Sequence, residues 1–162
     1  METTPIVKPA PQQFAIHRAP LSELDPAWKI VDEYYEAVHV IARDSKPDFA
    51  ATYFIDGAGV WLASSTQGIV GCIALRPLAT IPHSAEIKRL YVQPAFRGHN
   101  IAASLYSALE LYAREFSYHS LYLDTAAAMT AAHLFYSKLG FEPCPRYNDN
   151  PQAALFMRKK LL

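Results

Sequence analysis

The stretch YVQPAFRGHNIAA, from Tyr91 to Ala103, decides how this chain is read. An extended apolar pair runs through Pro94, reaches Arg97-Gly98, and opens into a pattern of helical period. The first backbone N–H groups of a helix have no intrahelical acceptor, and the peptide dipoles add there, so such a turn attracts negative charge. Gly98 lets the backbone approach a ligand closely. Asn100, two residues on, is the non-glycine type that best tolerates positive φ. The turn therefore points to a site for a phosphorylated ligand or, at its simplest, to a helix N-terminus behind a tight turn.

Upstream, AEIKRLYV (85–92) reads as a strand, and strict alternation puts Glu86, Lys88 and Leu90 on one face and Ile87, Arg89 and Tyr91 on the other. Charged residues in the middle of a sheet imply either a cleft or long side chains that reach solvent at the strand ends. Before it, VWLAS and IVGCIALRP read as two strands joined by a tight turn at Gly68, with Pro77 ending the second. FAIHRA (14–19) is a short strand. A helix follows with Asp25 as N-cap, Pro26 at its first position and Trp28, Val31, Tyr35 and Val38 at helical spacing. A shorter helix spans 46–54. Downstream, Ile101, Leu105, Leu109 and Tyr112 mark an amphipathic helix, SLYLDT (120–125) a strand, and 126–140 a helix closed by Gly140. AALFMRKKL (153–161) closes the chain as a strand. An antiparallel run followed by crossovers implies a mixed α/β sheet with helices on both faces.

The 162 residues suit one well-buried core, with 1–13 a loose proline-containing tail and 14–162 a single domain. Fifteen basic and fifteen acidic residues leave no global field for nucleic acid, so any anion site is local. Two cysteines, Cys72 and Cys144, lack ligand spacing and read as reduced, mostly buried thiols, which with the absence of a signal peptide suggests a cytoplasmic protein. No apolar run is long enough for a membrane span. The six histidines show no HExxH pattern, and no metal is expected. GxSxG and Walker motifs are absent.

EIKRLYVQPAFRGHNIAASLY, LDT…MTAAHLFYSKLGFEP and the closing ALFMRK resemble the GNAT superfamily of acyl-CoA N-acyltransferases over roughly 14–162. The resemblance implies a central mixed sheet of about seven strands flanked by about four helices. It also implies acetyl-CoA as co-substrate and direct attack by an amine through a tetrahedral intermediate. Arg97, Gly98, His99, Asn100, Ile101 and Ala102 match the pyrophosphate-binding turn, with Asn100 where the family usually has glycine. Leu90, Tyr91 and Val92 match the strand whose backbone meets the pantetheine arm and thioester, one N–H serving as oxyanion donor.

Glu86 matches the position of a general base, a carboxylate that collects the proton an ammonium must lose. The other reading of Glu86 is an ion pair with Arg76 or Arg89. Tyr136 matches the tyrosine that protonates the departing sulfur, or else is a core tyrosine. Met129 stands where the family often has an asparagine that assists pantetheine binding. His99 is either a phosphate contact or a solvated loop residue. For the acceptor, the first helices and the closing strands offer Trp28, Tyr34, Tyr35 and Arg43, and the segment PRYNDNP offers Arg146, Asn148 and Asp149. These suit a small polar amine, one with a carboxylate included, or are helix core and surface loop. A small-molecule amine is thus the expected partner, without nucleic acid or membrane, and a homodimer is the assembly the resemblance allows. Acetylation of a protein amine, or acyl-CoA sensing without turnover, are the rival functions.

Overall fold

The computed structural model describes residues 13–126 and 129–162. Residues 1–12 of the expected tail, and Ala127 and Ala128 of the expected last helix, lie outside them. The strands are β1 (Ala15–Arg18), β2 (Gly59–Ser65), β3 (Gly68–Pro77), β4 (Ser84–Val92), β5 (Ser120–Thr125), β6 (Glu142–Pro143) and β7 (Leu155–Lys160). The helices are α1 (Leu24–Ala37), α2 (Lys46–Tyr53), α3 (Ile101–Glu115) and α4 (Thr130–Lys138). The seven strands form one sheet in the order β1-β2-β3-β4-β5-β7-β6. Every neighbouring pair is antiparallel except β4 and β5, which are parallel because α3 crosses over between them.

Each face of the sheet carries its own core. On one, Ile101, Leu105 and Leu109 of α3 and Tyr136 of α4 pack with Ile73, Leu75, Ile87, Leu121, Leu123 and Met157. On the other, Ile30, Val31 and Tyr35 of α1 and Phe49 and Tyr53 of α2 cover Val60, Leu62, Cys72, Ala74 and Tyr91. The expected α3 stripe is thus the buried one. Its Tyr112 is only half-buried and accepts the Gly57 N–H at 2.8 Å.

Two parallel strands that stay paired would leave no room between them. β4 and β5 pair only at Ser84–Ser120, Ala85–Leu121 and Glu86–Tyr122, and then part. From Lys88 to Val92 the β4 backbone has no strand on its β5 side. The same strand also bulges. Cys72 faces Tyr91 and Ala74 faces Lys88, so Arg89 and Leu90 together oppose Ile73 alone. Arg89 takes φ +60° to make that bulge, and its carbonyl accepts the Cys72 thiol at 3.1 Å.

The bulge corrects the alternation expected for β4. Leu90 joins Ile87 in the α3-side core, whereas Tyr91 joins the α1-side core. Arg89 goes with Tyr91, its guanidinium 5.0 Å above the Tyr35 ring. The extra residue moves everything beyond it to the opposite face from the one alternation predicts.

Helix starts differ from expectation at two places. A 3-10 turn over Leu21–Glu23 runs into α1, so Glu23 rather than Asp25 is the N-cap, and Asp25 instead pairs with Lys46 at the start of α2. The last helix begins at Thr130 rather than 126, with Met129 at its N-cap. Its end is as expected. The Phe141 N–H donates to Tyr136 O and the Gly140 N–H to Ser137 O, both at 3.1 Å, with Gly140 at φ +95°. This Schellman motif places Phe141 against Tyr136, ring centroids 5.3 Å apart.

A methyl group on Gly140 would meet only Lys159 Cε, at an ordinary 3.6 Å, so Gly140→Ala strains the backbone without a clash. The substitution should cost about 1–2 kcal/mol, the usual penalty of a left-handed L-residue, read from the urea midpoint at constant m.

Candidate active site

The parting of β4 and β5 opens a cleft of about 410 Å³ lined by Leu90, Tyr91, Val92, Arg97, Gly98, Asn100, Ile101 and Ala102, with Met129 on its far wall. Nine of the ten residues expected to hold a cofactor are therefore together. The tenth, His99, is exposed and packs against Phe14, ring centroids 5.7 Å apart, outside the lining. Val38 at the end of α1 and Ala131, Ala132 and Phe135 of α4 complete the walls. Their small or apolar character carries no motif, and sequence reasoning had no handle on them.

The mouth of the cleft is built from amides. Gly98 takes φ +86° and Asn100 φ +60°, ψ 22°, so asparagine does supply the left-handed turn where the family usually has glycine. The first bond into the helix runs from Ser104 N to Asn100 O at 3.1 Å, and among the described residues no backbone acceptor takes the amides from Gly98 to Ala103. Six N–H groups without backbone acceptors thus gather at the positive end of a helix of 15 residues, an arrangement that attracts negative charge. Arg97 stays exposed there, its Nε held by Val92 O at 3.0 Å.

A second cavity, of about 710 Å³, lies on the α1–α2 side of the sheet, bounded by Arg76 to Thr80, Glu86 and Arg146 to Asp149. Glu86 forms its floor and is 1% exposed. Its Oε1 accepts Arg76 Nε at 2.9 Å and Nη2 at 2.8 Å, and its Oε2 accepts Tyr147 Oη at 2.7 Å and Asn148 Nδ2 at 3.1 Å. Lys88 Nζ lies 3.5 Å from Glu86 and 3.2 Å from Asp124. Asn148 also donates to Asp124 Oδ2 at 2.7 Å, and Asn150 does so at 3.3 Å. The ion pair expected of Glu86 is made with Arg76. Arg89, the other named partner, pairs with Asp44 at 3.4 Å instead.

This network spans three separate strands and a loop. Asp124 and Tyr147 were not foreseen, although alternation in SLYLDT sets Asp124 on the face opposite Leu121 and Leu123. Burial works to raise the Asp124 carboxyl, but the Lys88 ammonium and the hydrogen bonds from Asn148, Lys88 and Asn150 outweigh it and hold it below the usual carboxylate range.

Tyr136 is 4% exposed and turned into the core between Phe135 and Phe141. Its neighbour Phe135, not Tyr136 itself, lines the cleft. Burial, with a smaller contribution from Tyr34, pushes the phenol well up, so it keeps its proton. Of the acceptor candidates, Tyr34 is half-buried, 6.1 Å from the Tyr91 ring, and one helical turn from Val38 in the cleft wall.

The other candidates do structural work. Tyr35 is fully buried under Arg89, and Trp28 packs on Phe49 at 5.4 Å within the α1–α2 core. Arg43 donates to Val40 O at 2.6 Å and Tyr35 O at 3.2 Å, closing the end of α1. Arg146 stacks on Phe156 and donates to the carbonyls of Asn148, Asn150 and Ala153, which shapes the loop carrying Asn148. Among the described residues no group of three or more His, Cys, Asp or Glu side chains is placed to hold a metal ion.

The model of the acetyltransferase (GNAT) family matches residues 24–141, and the chain belongs to that family. An uncharacterised N-acetyltransferase of Schizosaccharomyces pombe is 34% identical over 82 residues, 51% of this chain and 50% of that protein. A GNAT-family acetyltransferase from Staphylococcus aureus superposes with a TM-score of 0.79 at 21% identity, covering 93% of this chain and all of that one. The PaiA N-acetyltransferase of Thermoplasma acidophilum, solved in complex with coenzyme A, superposes with a TM-score of 0.70 at 16% identity over 91% of this chain and 99% of its own. At such identities the structural likeness speaks for the fold. The chain spans about half the length of the curated relatives it matches.

A carboxyl held below its ordinary value stabilises the fold above the unfolded pKa, near 4, and loses that contribution as pH falls through the folded value. Asp124→Asn should therefore flatten the acid limb of stability from about pH 4 downward, while wild type loses stability over it. Urea midpoints from pH 7 to pH 2 check this.

Proposed function

We propose that the protein is an N-acetyltransferase that carries an acetyl group from acetyl-CoA to the amine of a small molecule. The observation that carries this reading is the cleft itself: an unpaired strand edge at Leu90 to Val92 leading to six free amides at 98–103. A pantetheine arm along that edge extends the sheet, and the pyrophosphate lies at the amides. Met129 leaves that arm without the polar side chain the family often supplies, so the β4 backbone carries its hydrogen bonds. The reduced, buried Cys72, whose thiol burial pushes up to about 12, agrees with the proposed cytoplasmic setting. Among the described residues no helix is long and apolar enough to cross a membrane.

In the reaction proposed here, the amine nitrogen bonds to the thioester carbon, the C–S bond breaks, and the electron pair leaves on sulfur. A β4 N–H at the bulge stabilises the oxygen that gains charge meanwhile. Tyr136, neutral at working pH, is the proposed donor of a proton to the thiolate, one residue from Phe135 in the cleft wall. Glu86 takes the proton from the amine and passes it to solvent, and solvent returns one to Tyr136. A structural reading of Glu86 is favoured by its two bonds from Arg76 and its burial. pH separates the two.

Coenzyme A at 100 times its dissociation constant should stabilise the fold by about 2.7 kcal/mol. AMP at the same concentration should do less, and Gly98→Val should abolish the CoA shift without unfolding the protein. Equal thermal shifts with CoA and AMP would remove the donor assignment.

Tyr136→Phe should lower kcat about 10²-fold with little change in CoA affinity. For Glu86→Gln, kcat/KM measured from about pH 6 to 9.5 should show its largest deficit at low pH, where the amine is protonated. A constant ratio to wild type, with reduced stability, would make Glu86 a structural ion-pair partner.

A further inference from the structure

The guanidinium of Arg89 is under-satisfied for a buried cation. Its side chain is 11% exposed, and its five N–H groups meet one carboxylate acceptor among the described residues, Asp44 Oδ2 at 3.4 Å. That distance is long for a charge-assisted bond, which is ordinarily 2.7–2.9 Å. The Tyr35 ring lies beneath it at 5.0 Å, and its Nε is buried with no partner. A second orphan lies in the same core as the Tyr35 ring: the hydroxyl of Tyr53, on a side chain that is fully buried, also has no partner. Two buried donors without acceptors in one neighbourhood call for an anion or a water.

Position separates these. Arg89 directly precedes Leu90, whose backbone lines the cleft proposed to take the thioester. The bulge, held at φ +60° on a non-glycine residue, turns Arg89 away from the face where Leu90 packs and onto the Tyr35 ring. The strained turn thus places a cation beside the position proposed for the thioester, on the α1–α2 side of the sheet.

We infer that the acceptor is an amino carboxylate, an amine with a free carboxylate a few bonds from its nitrogen, and that Arg89 holds the carboxylate with the Tyr53 hydroxyl as an additional donor. This rests on the acetyltransferase reading of the same site. A carboxylate answers Nε–H and a terminal N–H with two parallel acceptors. A primary amide offers one acceptor and turns an N–H toward a donor, which leaves buried groups unpaired. The site therefore discriminates against a protein N-terminus, where the corresponding carboxyl is an amide.

Binding tests this without turnover. Protein saturated with CoA is titrated calorimetrically with N-acetylated glycine, leucine, phenylalanine and glutamine, and with the primary amide of each. At least one acid should bind tenfold or more tightly than its own amide. Arg89→Gly keeps the backbone of the bulge, for which glycine is well suited, and should erase that difference. Tyr53→Phe, which deletes only the orphan hydroxyl, should narrow it severalfold and serves if Arg89→Gly does not fold. Acids and amides that bind alike, as with a bridging water only, overturn the inference. So does failure of every acid to bind at millimolar concentration, or an acid preference that survives in Arg89→Gly. CoA binding is read separately: if wild type gives no CoA signal, the acyltransferase reading fails, and the acid–amide comparison on the CoA-free protein still decides the role of Arg89.

Discussion

The architecture depends on one mismatch in backbone pairing. β4 has nine residues, pairs with β5 over three of them, and carries one residue too many against β3. A strand edge left unpaired inside a fold is costly unless something hydrogen-bonds to it, since each buried N–H and C=O needs a partner. Here the free edge borders the cleft, so the gap and the groups that a ligand would satisfy have the same origin. The bulge then divides labour between the faces: Leu90 closes the α3-side core, while Arg89 and Tyr91 turn to the side where α1 and α2 pack. A left-handed non-glycine residue costs about 1–2 kcal/mol, and the Cys72 thiol donating to the Arg89 carbonyl helps hold it.

The charges on the α1–α2 side face one another across the strands, with Arg89 the least satisfied of them. Arg76, Lys88 and Arg89 stand against Glu86, Asp124 and Asp44, three of each sign, and the loop residues Tyr147, Asn148 and Asn150 supply the remaining donors. Buried ions are tolerable only when paired and hydrogen-bonded, so removing one member leaves its partner exposed to the full desolvation cost. The loop from Arg146 to Gln152 is thereby tied to both β4 and β5. Gln152 extends the tie to the segment after α1, donating to His39 O at 3.2 Å and accepting Ile41 N–H at 3.0 Å. The side proposed to receive the acceptor is accordingly framed by the same bonds that hold the sheet's open end together.

Tyr136 illustrates how one motif can carry two constraints. In YSKLGF, the spacing of tyrosine, glycine and phenylalanine is what a Schellman cap requires, with Tyr136 and Phe141 as its apolar contact. The cap fixes the Tyr136 backbone where α4 meets the cleft wall. The chemical role proposed for its hydroxyl would be built on a position that helix termination already demands.

The sequence alone determined what local chemistry controls. Helical and two-residue periods located the elements, Asn100 and Gly98 marked the left-handed turn, Gly140 marked the end of α4, and motif order pointed to the family. Each of these depends on residues within a few positions of one another. Tertiary structure decided the rest. Whether Arg89 and Leu90 exchange faces depends on register against Ile73, sixteen and seventeen residues upstream, which no alternation within β4 encodes. That Tyr147 and Asn148, 61 and 62 residues away, share the second oxygen of Glu86 is encoded by no local pattern. Tyr35 and Trp28 offered aromatic surface to a ligand or to a core with equal ease in the sequence; the packing of α2 against α1 put Tyr35 inside and Trp28, half-buried, against it. Periodicity says which residues share a face. Only the assembled sheet says what that face meets.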